Sequence, residues 1–116
     1  MAAASFYTSA SDLTAFLQAH LPGAAGEPIG RGVLKPETVK LMRQPHAAQF
    51  GADIWGLGTI LYAPNGTGDF IIGHDGKRSP AINATARIDP STGDGIVFLE
   101  SGHPLLATHV GGDWVF

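Results

Sequence analysis

The segment from Ala84 to Ser101 constrains this chain most. Two apolar runs flank Asp89-Pro90-Ser91-Thr92-Gly93-Asp94-Gly95, a stretch made of turn-forming residues. Such residues reverse a chain because Gly reaches positive φ, Pro fixes its own φ, and Asp and Ser bond their own backbone. Ile82–Ile88 alternates with small and polar residues, the period of a strand. Ile96-Val97-Phe98-Leu99 is nearly continuous in apolar character, the pattern of a strand buried on both faces. A chain with this hairpin needs further strands beside it and a layer over it.

The N-terminal half supplies that layer. Ser9-Ala10-Ser11-Asp12 is a capping box with Ser9 at the N-cap and Asp12 at N3. Leu13, Phe16, Leu17 and Leu21 follow on one helical face, and Pro22-Gly23 ends the run. The first helix is therefore expected over about Ala10 to His20. Residues 22–33 hold four Gly and two Pro and read as a surface loop. Pro36 suits a helix N1 position, and Leu34 and Val39 stand where a hydrophobic staple would place them. The second helix is expected over about Pro36 to Arg43, stopping before Pro45.

Strands are expected at Trp55–Tyr62 and Asp69–His74, joined by a loop around Asn65-Gly66. A last helix would start at His103-Pro104, although Gly111-Gly112 weakens it. The fold class is α+β: an antiparallel sheet flanked by helices. No internal repeat and no low-complexity segment occurs.

Composition excludes several function classes. With 44% hydrophobic and 15% charged residues, the 116-residue chain is globular in character and holds one domain at most. The net charge is −3, and the seven Lys and Arg are scattered, so no stripe exists to neutralise phosphates. Nucleic acid is not an expected partner. No apolar run reaches the roughly 18 residues of a membrane span. Met1-Ala2-Ala3-Ala4 has neither the charged nor the apolar region of a signal peptide. Cysteine is absent, which removes disulfides and thiol catalysis. The end Trp114-Val115-Phe116 is apolar, and points to truncation, proteolysis or obligate pairing.

The run Gly73-His74-Asp75-Gly76-Lys77-Arg78-Ser79 carries the chemistry. It is not a phosphate loop: Ile71 stands where the Walker pattern needs its first Gly, and Arg78 where it needs Ser or Thr. The histidines His20, His46, His74, His103 and His109 form no metal-binding spacing, and all except His74 are expected at the surface or in caps. No cofactor or metal is expected. Ser5, Ser79 and Ser101 are candidate nucleophiles only if a base lies beside them, and no Gly-x-Ser-x-Gly elbow is present. No Ser or Thr is followed by Lys three residues on. Tyr7-Thr8-Ser9 has the wrong third residue for a Tyr-x-Asn motif, and Ser9 is better used as a cap. Asn65-Gly66-Thr67 and Asn83-Ala84-Thr85 are formal glycosylation triplets of the kind that arise by chance.

Taken in order, these segments resemble the C-terminal part of the serine β-lactamase-like superfamily, in its class C β-lactamase, DD-peptidase and esterase branch. Ala2 to Leu13 resembles the family's small-residue stretch leading into a helix. Val33 to Met42, Trp55-Gly56-Leu57-Gly58 and the strands from Ile82 to Leu99 resemble the segments that follow. Gly73-His74-Asp75-Gly76 falls where the third active-site box stands, written Lys-Thr-Gly or His-x-Gly. The resemblance spans nearly the whole chain. It implies the C-terminal portion of a β-lactamase/transpeptidase-like fold, in a bacterial protein of cytoplasm or periplasm. It also implies that the Ser-x-x-Lys nucleophile, the second motif and the N-terminal strands precede this segment in family members.

Carried onto this chain, the resemblance implies an acyl-enzyme hydrolase acting on an ester, amide or β-lactam. His74 would place a polar or cationic group near the nucleophile. The backbone N–H of Lys77 would form one arm of the oxyanion hole, and Asp75, Gly76 and Arg78 would contact the substrate. Gly76 would admit the substrate to the backbone. An Asp75 facing the cleft would repel an anionic substrate, because a carboxylate only accepts hydrogen bonds; otherwise it points away and pairs with Lys77 or Arg78. This chain alone would be inactive, and would need a second polypeptide segment carrying the nucleophile, or self-association. The competing expectation is a non-catalytic binding or structural domain on the same fold.

Overall fold

In the computed structural model, residues 6–48, 54–78 and 82–101 are described. Two helices, α1 (Ala10–Gln18) and α2 (Pro36–Met42), precede six strands: β1 (Ala47–Ala48), β2 (Ile54–Trp55), β3 (Ile60–Pro64), β4 (Phe70–Arg78), β5 (Ile82–Ile88) and β6 (Gly95–Ser101). The strands form one antiparallel sheet in sequence order, so every strand pairs with its chain neighbour. This is an α+β architecture. Among the described residues no helix is long and apolar enough to cross a membrane.

Helix α1 begins as the capping box requires: the Asp12 N–H donates to Ser9 Oγ at 3.1 Å. It ends at Gln18 rather than His20, because the His20 and Leu21 amides bond the carbonyls three residues back and tighten the last turn. The carbonyls of Gln18 and Leu21 at this end accept from the Arg31 guanidinium, each at 3.1 Å. Arg31 thus caps the helix from a loop thirteen residues on. Leu17 carries α1 onto the sheet, where it packs with Leu61, Ile72 and Ile88, and Leu21, Phe70, Ala86 and Val97 close in around them. Phe16 stays exposed, its ring set edge-on to His20.

Helix α2 starts at Pro36 as expected and runs one residue short of Arg43. Its C-terminal carbonyl, on Met42, accepts from the Thr59 hydroxyl at 2.8 Å and from the Leu57 amide at 3.0 Å. Those two bonds fasten α2 to the turn between β2 and β3.

That turn corrects the strand expected over Trp55–Tyr62. The chain reverses at Gly56–Thr59, where the Gly56 amide bonds the Thr59 carbonyl and Gly58 takes φ +72°. Glycine at 58 makes the reversal inexpensive, and two short strands replace one long one. Strand β4 is longer than Asp69–His74 and reaches Arg78. Strand β6 is the second correction. Among the described residues it is the last strand of the sheet, half-buried along Ile96–Phe98 with Leu99 exposed. The apolar run alone cannot tell a central strand from an edge strand. The expected helix at His103-Pro104 and the Trp114-Val115-Phe116 end lie outside the described residues.

Candidate active-site strand

Register decides what β4 presents. Gly73 stands opposite Arg87, His74 opposite Ala86, Asp75 opposite Thr85, Gly76 opposite Ala84 and Lys77 opposite Asn83. Side chains alternate along a strand, so His74 and Gly76 share one face with Ala84 and Ala86. Asp75 and Lys77 share the other with Asn83, Thr85 and Arg87.

The backbone alternates as well. The Asp89 amide closes the β5–β6 turn on the Asp94 carbonyl at 2.8 Å. Antiparallel pairs then alternate between bonded and non-bonded. Arg87–Ile96, Thr85–Phe98 and Asn83–Glu100 are the bonded pairs of that ladder, with register taken from the sheet. Ala84 and Ala86 therefore direct their backbone groups at β4, toward Gly76 and His74. Asp75 and Lys77 direct theirs to the opposite edge of β4. Strand β3 covers that edge only from Phe70 to Gly73, where Gly73 pairs with Ile60. Among the described residues, no strand pairs with the Asp75 and Lys77 edge.

His74 lies at this edge. Its Nδ1 is 2.6 Å from the Asp75 carbonyl oxygen, close enough for the ring N–H to donate to it. The ring meets Trp55 edge-on, with centroids 5.4 Å apart. The imidazole is thereby fixed between the two while remaining exposed. One outward backbone acceptor is occupied, and the Lys77 N–H is the next outward group along the strand.

The Asp75 carboxylate is engaged on the sheet face. Thr85 donates its hydroxyl to Oδ1 at 2.7 Å, and Arg87 Nη2 sits 3.0 Å from Oδ2. Arg87 stands opposite Gly73, one diagonal step from Asp75 on the same face of the sheet. The same guanidinium lies 4.0 Å from the centroid of the Tyr62 ring. Burial works to raise the Asp75 pKa, but hydrogen bonds from Thr85 and Arg87 and the guanidinium charge hold it below the ordinary carboxylate value. Burial, and then the Asp75 charge, push the Tyr62 phenol upward. Asp75 therefore points away from the open edge, as one of the two sequence expectations had it, but its cationic partner is Arg87.

The two glycines of the motif differ. A Cβ on Gly73 would collide with the Ala86 carbonyl. A Cβ on Gly76 would meet only the Ala84 methyl, at 3.8 Å. Gly73 is required by the sheet, whereas Gly76 leaves open an exposed stretch of strand beside the outward Lys77 amide. Lys77 is exposed, and Arg78 closes the β4–β5 pairing opposite Ile82.

The remaining candidates separate from this strand. Ser101 ends β6 in an exposed position, and Ser5 and Ser79 lie outside the described residues. His46 acts in a cap, its Nε2 2.9 Å from the Leu41 carbonyl. His20 departs from the surface position expected of it: it is 4% exposed, and burial followed by the Arg43 charge lowers its pKa. His103 and His109 lie outside the described residues. No group of three His, Cys, Asp or Glu side chains converges on a metal-sized site among the described residues.

Trp55, Tyr62, Thr85 and Arg87 were not singled out by the sequence. Once β4 and β5 are set in register, Thr85 and Arg87 fall on the face of Asp75, and that register is the signal that finds them. The chain matches no family model, no curated protein and no solved structure among known proteins.

Proposed function

We propose that this chain contributes the His-x-Gly wall of a serine hydrolase site of the β-lactamase-like type, with the nucleophile on another polypeptide segment. The substrate is an ester, amide or β-lactam, cleaved through an acyl-enzyme. One observation carries the reading: the edge of β4 at Asp75 and Lys77 is unpaired by β3 and flanked by His74 and a side-chain-free Gly76. An acyl group lying along that edge would place its carbonyl oxygen at the outward N–H of Lys77. Such an oxyanion donor is worth about 3 kcal/mol of barrier.

His74 adds a donor or a positive charge beside the reacting centre, according to its protonation. Arg78 follows on the same strand and is the residue to engage a substrate carboxylate. Because Arg87 neutralises Asp75 on the sheet face, Asp75 no longer argues against an anionic substrate. Its part is to hold β4 against β5, so that the Lys77 amide keeps its direction.

The test is intact mass spectrometry of whatever copurifies with the full chain, combined with labelling by a fluorophosphonate probe. A second chain that takes up the label, and loses it when His74 is replaced by Ala or Lys77 by Pro, supports the reading. A lone, unlabelled 12.1 kDa species supports instead a binding or structural domain on the same fold.

A further inference from the structure

Away from that edge, α2 and the β3–β4 loop enclose an open cleft of about 380 Å³. Lys40, Arg43 and Gln44 line one side, and Thr67, Asp69 and Phe70 the other. Lys40 and Arg43 are three residues apart, so they project from neighbouring positions at the C-terminal end of the helix. The cleft begins at Phe70, four residues, or about 13 Å of strand, before His74.

Arg43 is the unusual member. Its residue is 8% exposed, yet its guanidinium has one anionic neighbour, Asp69 Oδ2, at 3.4 Å from Nη1. Its Nε is buried with no hydrogen-bond partner. A guanidinium offers five donors, and a buried one is normally matched by carboxylates or carbonyls on most of them. Asp69 is a weak match. Its Oδ1 accepts from the Phe70 amide at 2.9 Å, and its contact to Arg43 is longer than a strong charge-assisted bond. The Arg43 charge also reaches His20, whose pKa is lowered first by burial and then by that charge. With Lys40 added, two cations face one carboxylate around a cleft of small-molecule size.

We propose that this cleft binds the oxyanion of a small molecule, a carboxylate or phosphate group held by Arg43 and Lys40. The planar guanidinium suits either group, and Lys40 supplies a second charge at the rim. Pro45 and Phe70 give the rest of such a ligand an apolar surface. The site is independent of the hydrolase reading, since no residue of His74–Arg78 lines it.

The experiment titrates the uniformly ¹⁵N-labelled full chain with inorganic phosphate and, separately, with benzoate, at ionic strength held constant with chloride. Saturable amide shifts confined to residues 40–45 and 67–70 are expected with at least one of them. Preference for phosphate or for benzoate assigns the natural ligand's anion. Lys40→Ala, at an exposed position, should weaken binding several-fold with the rest of the spectrum unchanged. Asp69→Asn should tighten it by releasing Arg43, and Arg43→Gln should abolish it. The absence of saturable shifts with both anions, or shifts that survive Lys40→Ala and are not strengthened by Asp69→Asn, overturns the proposal. Arg43 would then be only a strut between α2 and the loop.

Discussion

Asp75 and Thr85 face each other across β4 and β5, and the Thr85 hydroxyl donates to the carboxylate at 2.7 Å. Arg87, diagonal to Asp75 on the same face, completes the arrangement at 3.0 Å. Thr85→Val keeps the shape and removes the donor. It should cost about 1 kcal/mol of stability, read as a lower urea midpoint with an unchanged slope. An unchanged midpoint would mean that the bond contributes nothing in solution.

The same carboxylate predicts an acid limb. Its folded pKa is lowered, so the folded state binds its proton less readily than the unfolded chain does. The stabilisation is complete above the unfolded carboxylate pKa, near 3.9, and is lost as pH falls from there through the folded value. Thermal melts from pH 5 down to pH 2 should decline less steeply in Asp75→Asn than in the parent chain. Equal slopes would show that other carboxylates dominate.

His20 predicts a second limb at higher pH. Burial and Arg43 lower its pKa, so the folded state holds the neutral ring. Above pH 6.5 both states are neutral at this position and nothing is lost; below 6.5 the unfolded chain takes up the proton first and stability falls. His20→Leu should flatten the decline between pH 6.5 and pH 5, measured by urea midpoints. A parent chain equally stable across that range would remove His20 as its cause.

Local signals were the legible part of this chain. The Ser9 cap, the Pro36 start and the Asp89–Gly95 turn each rest on a bond or a φ value set within a few residues. Asp89 Oδ1 accepts from the Ser91 amide at 2.8 Å, as a self-bonding turn residue should. The reversal at Gly56–Thr59 was missed because aromatic and branched residues on both sides read as one strand, although Gly58 carried the signal. The place of β6 was missed because periodicity reports burial and not neighbours. The candidate site was legible only as a motif, which names His74, Gly76 and Lys77. That Asp75 turns to Arg87 depends on a register between β4 and β5 that no local pattern contains. Arg43, buried beside Asp69 far along the chain, had no local signal at all.

The glycines of the motif separate stability from function. Gly73→Ala forces a methyl against the Ala86 carbonyl and should lower the melting temperature by several degrees. Gly76→Ala meets only the Ala84 methyl, so the fold should tolerate it within about 0.5 kcal/mol. If the edge beside it receives a substrate, that variant should lower acylation of the reconstituted enzyme while its melt stays unchanged. A Gly76→Ala variant with both intact would show that the substrate does not approach the strand there.

Lys77→Pro is the sharpest prediction, because the alternation of β4 gives it a direction. A proline removes a backbone N–H, and within a sheet it is tolerated only where that N–H faces away from the ladder. The Lys77 amide faces the edge that no described strand pairs, whereas the Gly76 amide faces Ala84 on β5. Lys77→Pro should therefore keep the circular dichroism spectrum and most of the melting temperature, and Gly76→Pro should lose both. If the proposed hydrolase reading holds, Lys77→Ala, which retains the N–H, should be indistinguishable from the parent in probe labelling of the chain joined with its nucleophile-bearing segment. Lys77→Pro should lose labelling by about 100-fold, the usual consequence of removing one oxyanion donor. Equal loss in the Ala and Pro variants would place the function in the ammonium group and not in the amide. Equal unfolding by the two prolines would contradict the assigned direction of the strand itself.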